Sequence, residues 1–299
     1  MINVMEVSSA YFPPFVKYSE STIEAIKSDS ELKRMMPNLL NTLFVPHGSP
    51  TFALDPGAAG AAMRDVIGLF AKPRAIIVVS AHWDTAVPTV STASQLETIY
   101  DFYGFPEALY TIKYPAVGCP EGAQEVVQAL KKRFAQVNTD ATRGLDHGAW
   151  SPLRHMFPKA DVPIIPVSIQ SHAGTAHALA LGEALEELTH QGFLVIGSGN
   201  ITHNLGDFRL AAMQGGHTPA YVEGFANWVE TQMSCKHWQQ LLDYRLHSPE
   251  GVRSHPSEDH FLPLFVALGA AGKAASAKAF FRGISNHVIA MDGYSFSNG

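Results

Sequence analysis

The chain has 299 residues, 16% of them charged and 46% apolar, a balance that excludes intrinsic disorder and a highly charged coiled coil. Its 21 basic and 27 acidic residues give a net charge of -6 without long runs of either sign, so neither nucleic acid nor an anionic membrane is expected as partner; no apolar run reaches the roughly 18 residues of a membrane span. Only two cysteines, Cys119 and Cys235, are present, which excludes a disulfide scaffold and points to a reducing cytoplasm, whereas 14 histidines make imidazole the group in which to look for chemistry.

In chain order, residues 1–40 read as an N-terminal extension. Pro13-Pro14 interrupts regular structure, and Ser21 to Met36 alternates charged and apolar residues as a surface helix does. This segment is expected to cover the domain or to pack across the interface of a homodimer or higher homo-oligomer. Residues 41–299 then read as one α/β domain. Short apolar runs at Leu43 to Val45, Ala75 to Val79, Pro163 to Ile169 and Phe193 to Ile196 alternate with longer amphipathic segments, which predicts a central, largely buried mixed sheet flanked by helices. Helices are expected over Glu121 to Phe134 and over Thr175 to His190, the latter with an apolar stripe of Ala176, Leu179, Ala180, Leu185 and Leu188. A longer helix is expected from Pro219 to Tyr244 and another from Glu258 to Ala270.

Three histidines fall just beyond predicted strands: His47, His82 and His203. Open α/β sheets bind ligands in the crevice beyond the carboxyl ends of their strands, so these three rings are expected at one edge. A fourth, His260, follows Ser257-Glu258-Asp259; with Ser257 as N-cap it would stand near the third helical position, where the helix dipole favours the neutral ring. The fifth, His147, lies in Asp146-His147-Gly148, where Asp146 could orient a ring and Gly148 lets the backbone approach closely. There is no HExxH, GxxxxGK[ST] or GxSxG, so zincin, P-loop and nucleophile-elbow chemistries lack their defining residues.

Taken together, Val45-Pro-His47-Gly-Ser-Pro50, Ser80-Ala-His82-Trp83, Asp101-Phe-Tyr-Gly-Phe-Pro106, Tyr114-Pro115, Asp146-His-Gly-Ala-Trp150, Gly199-Asn-Ile-Thr-His-Asn204 and Asp259-His260-Phe-Leu-Pro-Leu264 resemble, in this order, the class III extradiol ring-cleavage dioxygenases of the LigB type, and among them the DOPA 4,5-dioxygenase branch. The resemblance spans about Leu43 to Gly269. It implies a mononuclear metal held by His47, His82 and His260, with His203 as acid/base and His147 as its partner in proton transfer. Glu258 and Asp259, adjacent to His260, are further candidates because the wider superfamily uses a glutamate as third ligand.

The implied reaction is cleavage of a substituted, DOPA-like catechol by dioxygen to a ring-opened semialdehyde. Three neutral ligands leave the ion its full charge for a bidentate catecholate. Only a redox-active metal can pass an electron to dioxygen, which favours Fe(II), while Zn(II) fits the same ligands. Trp83, Phe102, Tyr103 and Trp150 are expected to line an aromatic substrate pocket. Two other readings use the same residues: a zinc hydrolase with His203 as base, and a non-catalytic binding protein on the same fold.

Overall fold

A computed structural model describes residues 42–213 and 216–298; the N-terminal extension and its expected helix lie outside the described residues. In chain order the elements are β1 (Thr42–Pro46), α1 (Gly57–Ile67), β2 (Ala75–Asp84), β3 (Thr89–Ser91), α2 (Pro120–Lys131), β4 (Asn138–Asp140), α3 (His147–Met156), β5 (Ile164–Ile169), α4 (Gly174–His190), β6 (Phe193–Gly199), α5 (Leu205–Met213) and α6 (Ala220–Ser234). After three short helical turns between Trp238 and Ser254 come α7 (Leu262–Ala270), β7 (Ala275–Phe281), the small hairpin β8 (Ile284–Ser285) and β9 (Ile289–Ala290), and β10 (Gly293–Asn298).

Eight strands form one mixed sheet in the order β4-β3-β5-β2-β6-β1-β10-β7. The four apolar runs of the sequence are its four central strands, β5, β2, β6 and β1, all parallel. Antiparallel pairing of β3 on β5 and of β10 on β1 makes the sheet mixed. The central strands are buried along nearly their whole length, which requires cover on both faces and explains why they read as continuous apolar runs.

The two-residue alternation of β6 sorts those faces. Odd positions Gly197 and Gly199 meet the entry to α7, where a Cβ would fall 2.0 Å from the Pro263 carbonyl oxygen and 2.1 Å from that of His260. Ser198, on the opposite face, donates its hydroxyl hydrogen to the Gly148 carbonyl at the start of α3. Helix α7, Leu-Pro-Leu-Phe-Val-Ala-Leu-Gly-Ala, is buried on every side, as a helix apolar all round must be. It lies against α4, with Gly182 and Gly269 allowing the two backbones to meet.

Three helix expectations are corrected. The helix expected from Pro219 to Tyr244 stops at Ser234, because Lys236 takes a left-handed conformation (φ 55°). The buried stripe of α4 is Ala178, Leu181, Gly182, Leu185 and Leu188, rotated from the one predicted because the Gly182 contact with α7 sets which face turns inward. The helix expected from Glu258 begins at Leu262; His260 stands in the turn before it and Ser257 caps nothing.

Since the His260 turn rests on glycine at the end of β6, Gly199→Ala should lower stability by about 1–3 kcal/mol through overpacking. Urea unfolding measures this, and an unchanged midpoint would show that the turn can give way.

Candidate metal centre

All five candidate histidines are brought together at the carboxyl edge of the central strands. His47 follows β1, His82 is the eighth residue of β2, His147 opens α3, His203 lies four residues past β6, and His260 sits in the turn that β6 supports. The His82 Nε2 atom is 3.1 Å from His47 Nε2 and 3.2 Å from His260 Nε2. The three ring centroids stand 4.8–5.1 Å apart.

What faces the other nitrogen of each ring fixes its tautomer. Ser198 spends its hydroxyl hydrogen on Gly148, so toward His47 Nδ1, 3.0 Å away, it can only accept. His260 Nδ1 meets the Asp259 carboxylate, and His82 Nδ1 lies 3.4 Å from Asp101 Oδ2; both carboxylates accept and cannot donate. The hydrogen bonds of His47 and His260 therefore place the ring hydrogen on Nδ1, the Asp101 carboxylate favours the same tautomer of His82, and the Nε2 atom of His82 stands within 3.2 Å of the Nε2 atoms of the other two. Burial holds His47 and His260 well below the ordinary imidazole range, and holds His82 down to about 4, so the lone pairs stay free. Two nitrogens held by one ion at about 2.0–2.1 Å lie roughly 2.9–3.4 Å from each other, and the spacing here fits. The donor set suits a divalent cation.

Other trios of potential ligand atoms also lie within 4.8 Å of one another: His47, His82 and His147, and His203, Asp259 and His260. His147 gives Nδ1 to Asp101 at 2.9 Å, and Asp259 is bonded to the far side of the His260 ring, where it orients the ring. Glu258 lies 4.0 Å from Arg245, outside both trios.

His203 stacks on His260 with centroids 3.4 Å apart and planes within 9°. Its ring has no hydrogen-bond partner among the described residues, and burial, opposed by the Asp259 charge, holds it at about 4, neutral and able to take a proton. The His147 ring lies 4.1 Å from that of His82. Burial alone would raise the Asp101 carboxyl, but the side-chain and backbone hydrogen bonds from His147, together with the nearby His147 and His82 rings, outweigh it and bring Asp101 down to about 2. Asp146, expected to orient a ring, does something else. It caps α3 by accepting from the Ala149 N–H, and it binds Ser80 and Arg143.

The four aromatic candidates separate. Phe102 stands edge-on to His147 at 5.6 Å. Tyr103 is 89% exposed and touches no ring of the site. Trp150 is fully buried, gives its indole N–H to the Ile99 carbonyl and packs behind Phe102, so its place is support and not contact with a ligand. Trp83 points to the strand face opposite His82 and lies beneath Arg143, for the same reason of alternation. Residues that the sequence left unassigned include Asp101, Ser198 and Asn200. Asn200 accepts from the Gly48 N–H through its side chain and donates its own N–H to the His260 carbonyl, tying the His47 and His260 turns together.

Among known proteins, residues 42–296 match the family model described as the catalytic LigB subunit of aromatic ring-opening dioxygenase. The chain is 38% identical over 266 residues to a 4,5-DOPA dioxygenase extradiol of Beta vulgaris, covering 87% of this chain and 98% of that one. It is 35% identical over 243 residues to a protein of the same name from Escherichia coli strain K12, covering 79% and 87%. A crystal structure of an uncharacterised Escherichia coli K12 protein superposes with a TM-score of 0.71 at 30% identity, over 85% of this chain and 98% of the other.

Behind the site, His255 is fully buried, bonds the Ile201 carbonyl through Nε2 and is stacked on Phe261. Burial holds it at about 3. Above pH 6.5 its ring is neutral in both folded and unfolded chains; below, only the unfolded chain takes up the proton, so stability falls as pH falls. From this group alone the loss between pH 7 and pH 5 should be about 2 kcal/mol. His255→Gln should reduce the measured drop by that amount in urea titrations at the two pH values, and an equal drop in both proteins would contradict it.

Proposed function

The chain belongs to the LigB family and is an aromatic ring-opening, extradiol dioxygenase, and we propose that it cleaves a DOPA-like catechol with one Fe(II) held by His47, His82 and His260. The observation that carries the ligand set is the convergence of three Nε2 lone pairs whose tautomers are fixed from behind. Iron held by these three histidines would supply Lewis-acid binding of the catecholate and the electron transfer to dioxygen that zinc cannot provide.

The protein's own part is to bind, orient and move protons. A catechol binds a cation most tightly as its anion, so a hydroxyl proton must leave on binding and a proton must return before the ring opens. A ring nitrogen of His203, neutral and unengaged, takes that proton and gives it back. His147 presents Nε2 to the same chemistry, since its Nδ1–H is committed to Asp101. Phe102 gives the catechol ring an apolar wall beside His147. The carboxylate-bearing side chain rests on the names of the relatives, several of which are called 4,5-DOPA dioxygenase extradiol.

With Fe(II), ascorbate and air, DOPA should yield a yellow ring-opened semialdehyde with one dioxygen consumed per ring, cleaved beside and not between the hydroxyls. Simple catechol and protocatechuate serve as comparators. No oxygen uptake by demonstrably iron-loaded protein across this panel would overturn the proposal. Ligation and proton transfer separate by mutation. His82→Ala should purify largely metal-free, while His203→Gln should keep its iron and lose about 10²- to 10⁴-fold in kcat. Metal analysis that finds His203→Gln depleted would exchange the two roles.

A further inference from the structure

Asp101 stands outside the trio, yet it touches two of the five histidines. Its Oδ2 atom accepts from His147 Nδ1 at 2.9 Å and lies 3.4 Å from His82 Nδ1; its Oδ1 accepts the His147 backbone N–H at 2.8 Å. No hydrogen bond reaches His82 Nδ1 among the described residues, and the Asp101 carboxylate faces it as an ion-pair contact. We infer that Asp101 is a positioning residue that sets, with one carboxylate oxygen, both the metal-binding tautomer of His82 and the proton-accepting tautomer of His147. The inference rests on the ligand role of His82 proposed above.

A carboxylate has no hydrogen to give, so each ring facing it must present N–H, and each thereby leaves Nε2 unprotonated. His82 can then ligate and His147 can accept a proton. The remaining oxygen, on the first N–H of α3, keeps the carboxylate from turning away from the rings. The same oxygen serves both rings, so ligation and proton transfer depend on a single side chain.

An amide in its place has no satisfactory orientation. With its NH2 toward the rings, donors meet donors unless each ring moves its hydrogen to Nε2, and a protonated His82 Nε2 cannot bind metal. With the NH2 turned the other way, it faces the N–H that opens α3. Asp101→Asn thus keeps size and shape while removing the acceptor geometry.

Zn(II) competition against a chromophoric chelator should show Asp101→Asn binding 10- to 100-fold more weakly than wild type, the loss usual when a ligand histidine loses its orienting partner. His147→Gln, which leaves the carboxylate to His82, should bind zinc within threefold of wild type. At saturating iron, Asp101→Asn should turn over no faster than His147→Gln, and the double variant no slower than Asp101→Asn. Nitrogen-15 shifts of the zinc-free wild-type protein should show His82 protonated at Nδ1, a readout that does not depend on how the variant folds. Zinc affinity of Asp101→Asn within threefold of wild type, with His82→Ala depleted, would overturn the role of Asp101 and leave the ligand set standing. His82 found as the Nε2–H form in the wild type would overturn it as well. Full zinc affinity in His82→Ala would instead remove the ligand assignment on which the inference rests.

Discussion

Three imidazole lone pairs aimed at one point repel one another, and the architecture of this protein is organised around holding them there. His47 and His260 are hydrogen-bonded from behind by groups that can only accept, a serine hydroxyl whose hydrogen is already given away and a carboxylate, and His82 faces a second carboxylate at 3.4 Å. Burial then keeps the rings from relieving the repulsion by taking up protons. A divalent cation at the focus would convert the repulsion into ligation at a site already formed.

The fold supplies the rigidity this requires. Four parallel strands end at one edge, so the rings are carried by strand ends and the turns directly after them, not by long loops. Ser80 and Ser198, on the same face of adjacent strands β2 and β6, bind the start of α3 and thereby seat His147 beside His82. On the other face, the two glycines of β6 let the chain entering α7 press against the strand, which places His260. Helix α7 itself is among the most deeply buried elements of the molecule, so the turn that delivers His260 is anchored by apolar packing that the site does not disturb.

Much of this was legible in the residues. The central strands announced themselves because burial on both faces demands uninterrupted apolar runs, and strand ends then implied where His47, His82 and His203 would meet. The outer strands were not legible: β3 and β4 are three residues each, and β7 is half-exposed, so neither length nor pattern marks them. Ser257-Glu258-Asp259 has the composition of a helix start, but the close approach of His260 to Gly199 overrides it and delays the helix to Leu262. Asp101 was hidden for a different reason. Its partner His147 is 46 residues away, no spacing rule joins them, and Asp146, next to His147 in sequence, was the more obvious orienting group although it caps the helix instead.

The central claim is that three nitrogens, one from each of His47, His82 and His260, form the protein's share of the metal's coordination. X-ray absorption on the zinc-loaded protein tests it directly, because imidazole ligands at about 2.0–2.1 Å carry a recognisable multiple-scattering pattern. Three imidazoles completed by light oxygen donors is the result this account predicts. Two imidazoles with a protein carboxylate as the third ligand, or any sulfur in the shell, would contradict it.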